Sequence, residues 1–312
     1  MIPVAPERDV EILNSVKELE YPKSDFHVIV IKSKNVSKNR NVGSAKAKGE
    51  IIGFLDDDGI IESDFLKNVE GFFNKYPWVD VVGGPQLTPK DEKGFAKISG
   101  YALTSKFGAA DVAGRYKKGD LKLNADEKDI TSANLFVKKE VMNKIKFDEN
   151  LWPGEDPKFI DDAKKEGFKV AYSPDFVIYH RRRPTIQGLM KQIFRYGKTR
   201  PSKESFVETL KKPLFLIPSI FVAYLISLIA LLFINPTITG RVVGIGTKNI
   251  SLKFLWFIPL IAYAFLSIFF SSLESIKNKD FRALFILLFV FPLIHISYGI
   301  GMISGWVKKI IK

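Results

Sequence analysis

The sequence predicts an α/β domain with a mostly parallel sheet flanked by helices, followed by C-terminal transmembrane helices. The first indication is charge: the 312-residue chain has a formal net charge of +13, yet only nine Lys or Arg and two Asp or Glu follow residue 212. The second is an alternation of strand-like and helix-like segments over about the first 180 residues. The chain therefore divides into an aqueous domain and a region suited to hydrocarbon.

Short apolar runs mark the predicted strands. Phe26–Ile31, Ile51–Leu55 and Val79–Val82 are rich in β-branched or aromatic residues and too short for helices, which is typical of buried strands. Ala45–Lys48 has a helical composition, and Asp64–Tyr76 places apolar residues at helical spacing before a proline. This alternation predicts β/α units and a parallel sheet.

Three uncharged apolar stretches lie near the end of the chain, at residues 213–234, 254–273 and 283–307. Each has about 20 residues or more, which at about 1.5 Å rise per residue spans a hydrocarbon core of about 30 Å. The alternative is a buried helical bundle in a soluble protein. Three uncharged spans joined by short polar loops disfavour that alternative.

Basic residues set the expected orientation in the membrane. Those at 198–212 precede the first span and predict a cytoplasmic domain in a multi-pass protein of the cell membrane, because positive charge is retained on the cytoplasmic side. Three full spans would place Lys308, Lys309 and Lys312 on the opposite side, against the same rule. One stretch is then re-entrant or interfacial, and the sequence leaves this open.

The densest basic run, Arg181–Lys212, leads directly into the first span. This position predicts contacts with anionic lipid headgroups rather than with nucleic acid. Residues 201–212 are interpreted as a basic juxtamembrane linker between a domain of residues 1–200 and a membrane domain of residues 213–312. The absence of cysteine excludes disulfides, zinc–thiolate sites and thiol catalysis.

Three consecutive carboxylates, Asp56, Asp57 and Asp58, directly follow the predicted strand Ile51–Leu55. Ligands of open α/β sheets bind beyond the carboxyl ends of strands, and a divalent cation would relieve the repulsion between these charges. Mg²⁺ or Mn²⁺ uses few protein carboxylates and completes its shell with phosphate oxygens and water. The alternative is a solvated acidic turn, which the immediately preceding strand disfavours.

The acidic residues belong to a longer pattern. The segment Lys48–Asp58 resembles the core of family 2 glycosyltransferases, whose fold is called GT-A. Four further segments resemble motifs of that family in the right order: Asn39–Asn41, Ser132–Asn134, Gly154–Asp156 and Gln192–Tyr196. Val82–Pro85 and His180–Thr185 are most similar to the succinoglycan-biosynthesis subgroup of polysaccharide glycosyltransferases. The resemblance covers residues 2–200 and implies a GT-A nucleotide-diphospho-sugar transferase domain.

The resemblance also implies roles for the matched residues. It implies a Mg²⁺ or Mn²⁺ ion held by Asp56, Asp58 and His180. Asp156 is implied as the base that accepts the proton of the acceptor hydroxyl, with Glu155 as the other member of the catalytic pair. Residues expected to contact the donor and its diphosphate are Arg40, Asp56, Asp57, His180, Arg181, Gln192 and Arg195.

Two of these assignments have alternatives from the residues alone. Glu155 and Asp156 precede a predicted helix at Pro157–Glu166, so they could simply complement the helix dipole. His180 follows a predicted strand and precedes Arg181, whose guanidinium suits a phosphate because it donates two parallel hydrogen bonds. The alternative for the arginine run is a surface for lipid headgroups.

One segment departs from the family pattern. The family usually has an Asp pair followed by Gly-Ser after its second strand, contacting the nucleotide base. Lys32–Asn35 stands at that place here. Ser37, Asn39 and Arg40 are the candidates for part of this role, and the identity of the base is left open.

These features together predict an inverting, metal-dependent glycosyltransferase at the cytoplasmic membrane face. It would move a sugar from a nucleotide-diphosphate donor to a lipid-linked or surface-polysaccharide glycan. One alternative is a polyprenyl-phosphate sugar synthase, whose phosphate acceptor needs no general base. Another is a catalytically silent nucleotide-sugar-binding partner in the membrane. The sugar, the acceptor linkage and the oligomeric state are not predicted.

Overall fold

The computed structural model describes residues 1–233, 242–245, 248–251 and 255–311. They divide into two compact units, Met1–Thr185 and Ile186–Lys312. The sequence analysis places the end of the first domain at residue 200, whereas the structure groups residues 186–200 with the hydrophobic helices.

The first unit is an α/β domain. Its strands are β1 (Ile2–Val4), β2 (Val30–Lys32), β3 (Ile51–Leu55), β4 (Gly59–Ile60), β5 (Val81–Gly83), β6 (Gln86–Leu87), β7 (Asn134–Lys138), β8 (Val170–Tyr172) and β9 (Ile178–His180). Its α-helices are α1 (Ile12–Lys17), α2 (Val36–Lys46), α3 (Phe65–Lys75), α4 (Gly94–Thr104), α5 (Lys106–Ala109), α6 (Lys139–Lys144) and α7 (Glu155–Lys165).

The sheet is mixed, which corrects the expectation of a mostly parallel sheet. The largest sheet has the order β3-β7-β5-β8, and β7 runs antiparallel to both β3 and β5 while β5 and β8 are parallel. A second sheet has the order β4-β9-β6, and β1 pairs in parallel with β2. The direction of β7 depends on where the chain returns after α5, which the pattern within a strand does not encode.

Several predicted elements are close to the observed ones. The strand Ile51–Leu55 has the predicted bounds, and the helix predicted at Asp64–Tyr76 is α3. The strand predicted at Phe26–Ile31 is wrong over its first four residues, because β2 pairs only with the three-residue strand β1. The helix predicted around Ala45–Lys48 ends at Lys46.

Alternation along β3 divides the core into two layers. Phe54 packs against the ring of Phe147, at 5.1 Å between centroids, and Phe147 stacks on Phe159 at 4.3 Å. The next residue, Leu55, belongs to the other layer with Phe65 of α3. Successive strand residues point to opposite faces, so both faces of β3 are buried and its carboxyl end is held firmly.

The second unit is helical and apolar. Its α-helices are α8 (Ile186–Lys203), α9 (Phe206–Leu210), α10 (Ile217–Phe233), α11 (Ile258–Lys277) and α12 (Phe281–Ile311), and β10 (Val242–Ile245) pairs antiparallel with β11 (Lys248–Ser251). Three helical segments are long and apolar enough to cross a membrane: Pro213–Leu231, Ile258–Lys277 and Phe281–Ile311. They match the three predicted spans, although residues 234 and 254 lie outside the described residues.

Glycines bring α8 and α12 into backbone contact. A Cβ added at Gly301 would lie 2.2 Å from the carbonyl oxygen of Phe194, and one at Gly305 would lie 2.3 Å from that of Lys198. Gly197 is equally close to the backbone of α12. Small residues at such spacing allow close helix packing, which explains why α8 belongs to the hydrophobic unit.

The contacts advance in the same direction along both helices. Near the start of α8, Met190 contacts Ser297, with 3.2 Å between sulfur and hydroxyl oxygen. Beyond its end, the ammonium of Lys309 donates to the carbonyl of Glu204 at 3.0 Å. Helix α8 therefore runs parallel to the C-terminal half of α12.

Candidate active site

The acidic triple lies where β3 ends and β4 begins. Residue Gly59 of β4 pairs with His180 of β9, which brings the imidazole beside the carboxylate of Asp58. A Cβ at Gly59 would lie 2.3 Å from the side chain of Ile178, so this pairing requires glycine. Chain positions more than 120 residues apart are thereby joined at one sheet edge.

Asp56, Asp58 and His180 form a group that could hold a metal ion. One potential ligand atom from each lies within 4.8 Å of the others. The Nε2 of His180 is 3.0 Å from Asp58 Oδ1 and 3.8 Å from Asp56 Oδ2. The Nδ1 of His180 is 3.0 Å from the carbonyl of Arg181, to which it can only donate. This bond directs Nε2 towards the carboxylates, as in many metal-binding histidines.

The three carboxylates differ in their protonation behaviour. Burial raises the pKa of Asp57 to about 6, and it raises the pKa of Asp56 despite the nearby charges of Arg40 and His180. Burial acts in the same direction on Asp58, but hydrogen bonds from His180 and Arg8 hold the pKa of Asp58 well below its usual range. Asp58 is therefore the carboxylate most firmly kept ionised as a ligand.

Arg40 connects the acidic triple to the start of α7. Its Nη1 lies 2.8 Å from Glu155 Oε1 and its Nη2 lies 3.4 Å from Asp56 Oδ1. The side chains of Arg40 and Glu155 are only 4% and 5% exposed. Burial raises the pKa of Glu155 to about 7, aided by the charge of Asp156 and opposed by Arg40.

Asp156 occupies a different environment from its neighbour. It is partly exposed, and one carboxylate oxygen accepts a bond from the backbone N–H of Ser132 at 3.4 Å. The same segment contacts the acidic triple, because the N–H of Asp56 donates to the carbonyl of Ala133 at 3.2 Å. The Ser132–Asn134 segment therefore connects Asp156 to the putative donor side of the site through backbone contacts.

Glu155→Gln is expected to lower stability because it leaves Arg40 buried with half its charge partners. Removing one member of a buried ion pair typically costs about 3–5 kcal/mol. The change should appear as a lower midpoint in thermal unfolding of the full chain. The matched control is Lys67→Gln, which breaks an exposed pair with Glu20 and should have little effect. Equal midpoints for the two variants would contradict a stabilising role for the Arg40–Glu155 pair.

Comparison with known proteins identifies the family of this chain. Residues 2–199 match the model described as Glycosyltransferase like family 2. The chain belongs to this family. The chain is therefore a glycosyltransferase, and the resemblance inferred from its motifs is confirmed.

Relatives of this family 2 glycosyltransferase support the same fold. The minor teichoic acid biosynthesis protein GgaB of Bacillus subtilis (strain 168) is 28% identical over 154 residues, which is 48% of this chain but only 16% of GgaB. The mannosyltransferase PcManGT of Pyrobaculum calidifontis, solved with GDP-Man and Mn²⁺, has a TM-score of 0.51 at 12% identity, covering 99% of this chain and 87% of that one. S. aureus TarS 1-349, solved with UDP-GlcNAc, has a TM-score of 0.44 at 16% identity and covers 62% of this chain and 64% of that one.

The remaining predicted residues of the glycosyltransferase lie outside this cluster. The guanidinium of Arg181 lies 3.1 Å from Asp91 and 3.9 Å from Glu92, and its side chain is well exposed. A phosphate could replace such a screened pair. Gln192 and Arg195 lie on α8 in the second unit, where the amide of Gln192 donates to the Tyr196 hydroxyl at 3.0 Å.

Two arginines show what the motifs did not distinguish. Arg182 is buried, donates to Thr88 at 3.0 Å and to the carbonyl of Gln86, and packs over the ring of Tyr116. It stabilises the segment after β6. Arg8 was missed by the sequence analysis, although it lies just beyond the end of β1 and contacts two of the three aspartates. Its proximity to a strand end was the available signal.

Proposed function

We propose that this protein is an inverting, metal-dependent glycosyltransferase that uses a nucleotide-diphosphate sugar and glycosylates a lipid-linked or surface-polysaccharide glycan. The observation that carries the proposal is the Asp56–Asp58–His180 group, connected to Asp156 through one short segment. A metal-and-diphosphate subsite beside a partly exposed carboxylate is the arrangement that a single displacement needs.

The residues have separate tasks in the proposed reaction. Asp56, Asp58 and His180 would hold a Mg²⁺ or Mn²⁺ ion, which supplies Lewis-acid stabilisation to the departing diphosphate. The bond between the sugar carbon and the phosphate oxygen breaks, and its electron pair leaves with the nucleoside diphosphate. The acceptor oxygen forms the new bond from the opposite face, and its proton passes to the carboxylate of Asp156. Arg40 keeps Asp56 and the start of α7 in position.

The metal and donor have support from the chemistry of the site. Carboxylates suit Mg²⁺ and Mn²⁺ alike, whereas imidazole is the better ligand for a transition metal, so His180 favours Mn²⁺. PcManGT, which shares the fold, was solved with Mn²⁺ and GDP-Man. GgaB is named for the biosynthesis of a surface polymer, which supports a polymer-linked acceptor. Because this chain covers 16% of GgaB, the acceptor belongs to the proposal.

A donor screen tests the proposed substrate class. The full-length protein in detergent is heated with Mn²⁺ and a panel of nucleotide-diphosphate sugars, and its unfolding midpoint is recorded. One donor family should raise the midpoint only when Mn²⁺ is present, because bound ligand stabilises the folded state. No donor-dependent shift, or one unaffected by EDTA, would contradict the proposal.

The second unit supports a multi-pass protein in which both ends of the membrane region lie on one side. Helix α8 runs beside the C-terminal half of α12. The start of α10 is there too, because a Cβ at Gly299 would lie 2.3 Å from the carbonyl oxygen of Pro218. Residues 281–299 are then the crossing part of α12. This arrangement brings Lys308 and Lys309 to the side of α8, as positive-inside distribution requires.

Single-cysteine labelling tests this topology cleanly, because the natural chain has no cysteine. Lys191→Cys on α8 and Lys308→Cys on α12 should react with an impermeant maleimide in vesicles of the same orientation. Lys277→Cys, at the end of α11, should react in vesicles of the opposite orientation. The expected orientation for the first two is inside-out, with the catalytic unit in the cytoplasm. Labelling of Lys308→Cys together with Lys277→Cys would contradict the topology.

A further inference from the structure

Arg8 occupies the acidic cluster from the opposite side to His180. It lies in the loop between β1 and α1, and its guanidinium lies 2.7 Å from Asp58 Oδ2 and 3.1 Å from Asp57 Oδ1. Its Oδ1 neighbour, His180 Nε2, takes the other oxygen of Asp58 at 3.0 Å. Both oxygens of Asp58 are therefore engaged by basic groups.

The contact resembles a cation site filled by a side chain. A guanidinium is permanently charged and bridges two carboxylates with parallel donors, so Arg8 offsets charge that would otherwise attract a free metal ion. The contact is also open to exchange, because the Arg8 side chain is 50% exposed while that of Asp57 is only 6% exposed. The mobile partner is thus the arginine, and the fixed partners are the carboxylates.

We propose that Arg8 makes metal binding depend on the donor, an inference that rests on the proposed function. In the empty site the guanidinium neutralises Asp57 and Asp58 and weakens the attraction for a bare divalent cation. When the cation arrives with the donor diphosphate, Arg8 exchanges the carboxylates for phosphate oxygens, which it binds with the same paired geometry. Metal and nucleotide diphosphate then reinforce each other's binding, and such coupling is reciprocal.

The test measures Mn²⁺ binding by the full-length protein, alone and with UDP or GDP, using the electron paramagnetic resonance signal of free Mn²⁺. Arg8→Gln removes the charge, Arg8→Lys keeps it, and Lys67→Gln is the matched control. Lys67 has a similar exposure, 52%, and its ion pair with Glu20 lies outside the cluster. Thermal unfolding of each variant verifies that it is folded.

Arg8→Gln should bind Mn²⁺ alone at least about fivefold more tightly, since a nearby positive charge is removed. It should bind the nucleoside diphosphate at least about fivefold more weakly in saturating Mn²⁺, since a phosphate donor is lost. Arg8→Lys should retain most of the wild-type behaviour in the Mn²⁺-only experiment, and Lys67→Gln all of it. Unchanged or weaker binding of Mn²⁺ alone by Arg8→Gln would overturn the inference.

The design separates this inference from the proposed function. If the wild-type protein binds Mn²⁺ only weakly even with UDP or GDP, the metal-dependent function itself fails. If the wild-type protein shows metal–nucleotide coupling and Arg8→Gln shows the same coupling, only the role of Arg8 fails.

Discussion

Replacing Asp58 by asparagine is expected to abolish metal-dependent donor binding and turnover together. Asp58 is the carboxylate closest to His180 Nε2, at 3.0 Å, and it is held in the ionised form by His180 and Arg8. An amide keeps the shape but supplies no negative charge to a cation. Loss of a metal that stabilises the leaving group by several kcal/mol corresponds to a fall in kcat of at least about 10³-fold.

Asp57→Asn is the matched control for this prediction. Asp57 is adjacent in sequence but lies outside the group of potential metal ligands, and its carboxylate contacts Arg8. It was predicted to contact the donor, so its replacement should weaken donor binding while leaving the dependence on Mn²⁺ intact. The assignment of Asp58 is wrong if Asp58→Asn binds donor with unchanged Mn²⁺ dependence. EDTA should reproduce the effect of Asp58→Asn in the wild-type protein.

Asp156→Asn is expected to lower kcat by about 10²-fold or more with little change in donor affinity. If a sugar hydroxyl is the nucleophile, its proton must leave as the bond forms, and a positioned carboxylate contributes about 10²- to 10⁴-fold. Asparagine can still accept the bond from Ser132 but cannot take a proton. An effect on kcat without an effect on donor binding indicates an interaction made in the transition state.

Glu155→Gln separates catalysis from structure at the same motif. Glu155 is buried against Arg40, whereas Asp156 is partly exposed, so the glutamine variant should lose stability and retain more of its kcat below its unfolding midpoint. A mild effect of Asp156→Asn would favour a polyprenyl-phosphate sugar synthase, since a phosphate acceptor is already ionised. A strong effect of Glu155→Gln on kcat with a silent Asp156→Asn would assign the base to Glu155.

The sequence predicted those parts of the site that follow from local pattern and strand ends. Asp56–Asp58 follow a buried strand with the predicted bounds, and His180 ends another strand. Both lie at carboxyl ends, so their meeting was expected from general sheet geometry. That His180 pairs with Asp58 in particular depends on the register of β4 and β9, which a single sequence does not define.

Other features could not be predicted because they depend on distant contacts. Burial of Glu155 and exposure of Asp156 follow from the position of Arg40, 115 residues earlier in the chain. The antiparallel direction of β7 follows from the path of the preceding helices. Arg182 was indistinguishable from Arg181 in the sequence, and only packing on Tyr116 and the Gln86 carbonyl assigns it a structural role.

The most direct test of the proposed reaction is the transfer of radiolabelled sugar from the donor found by the screen into extracted lipid. Full-length protein with Mn²⁺ should label a lipid-linked glycan, and EDTA should prevent labelling. Mild acid hydrolysis should then release the label as an oligosaccharide, because the new bond joins the sugar to a glycan hydroxyl. Release of the label as a monosaccharide, or labelling that is unaffected by EDTA, would contradict the proposed function.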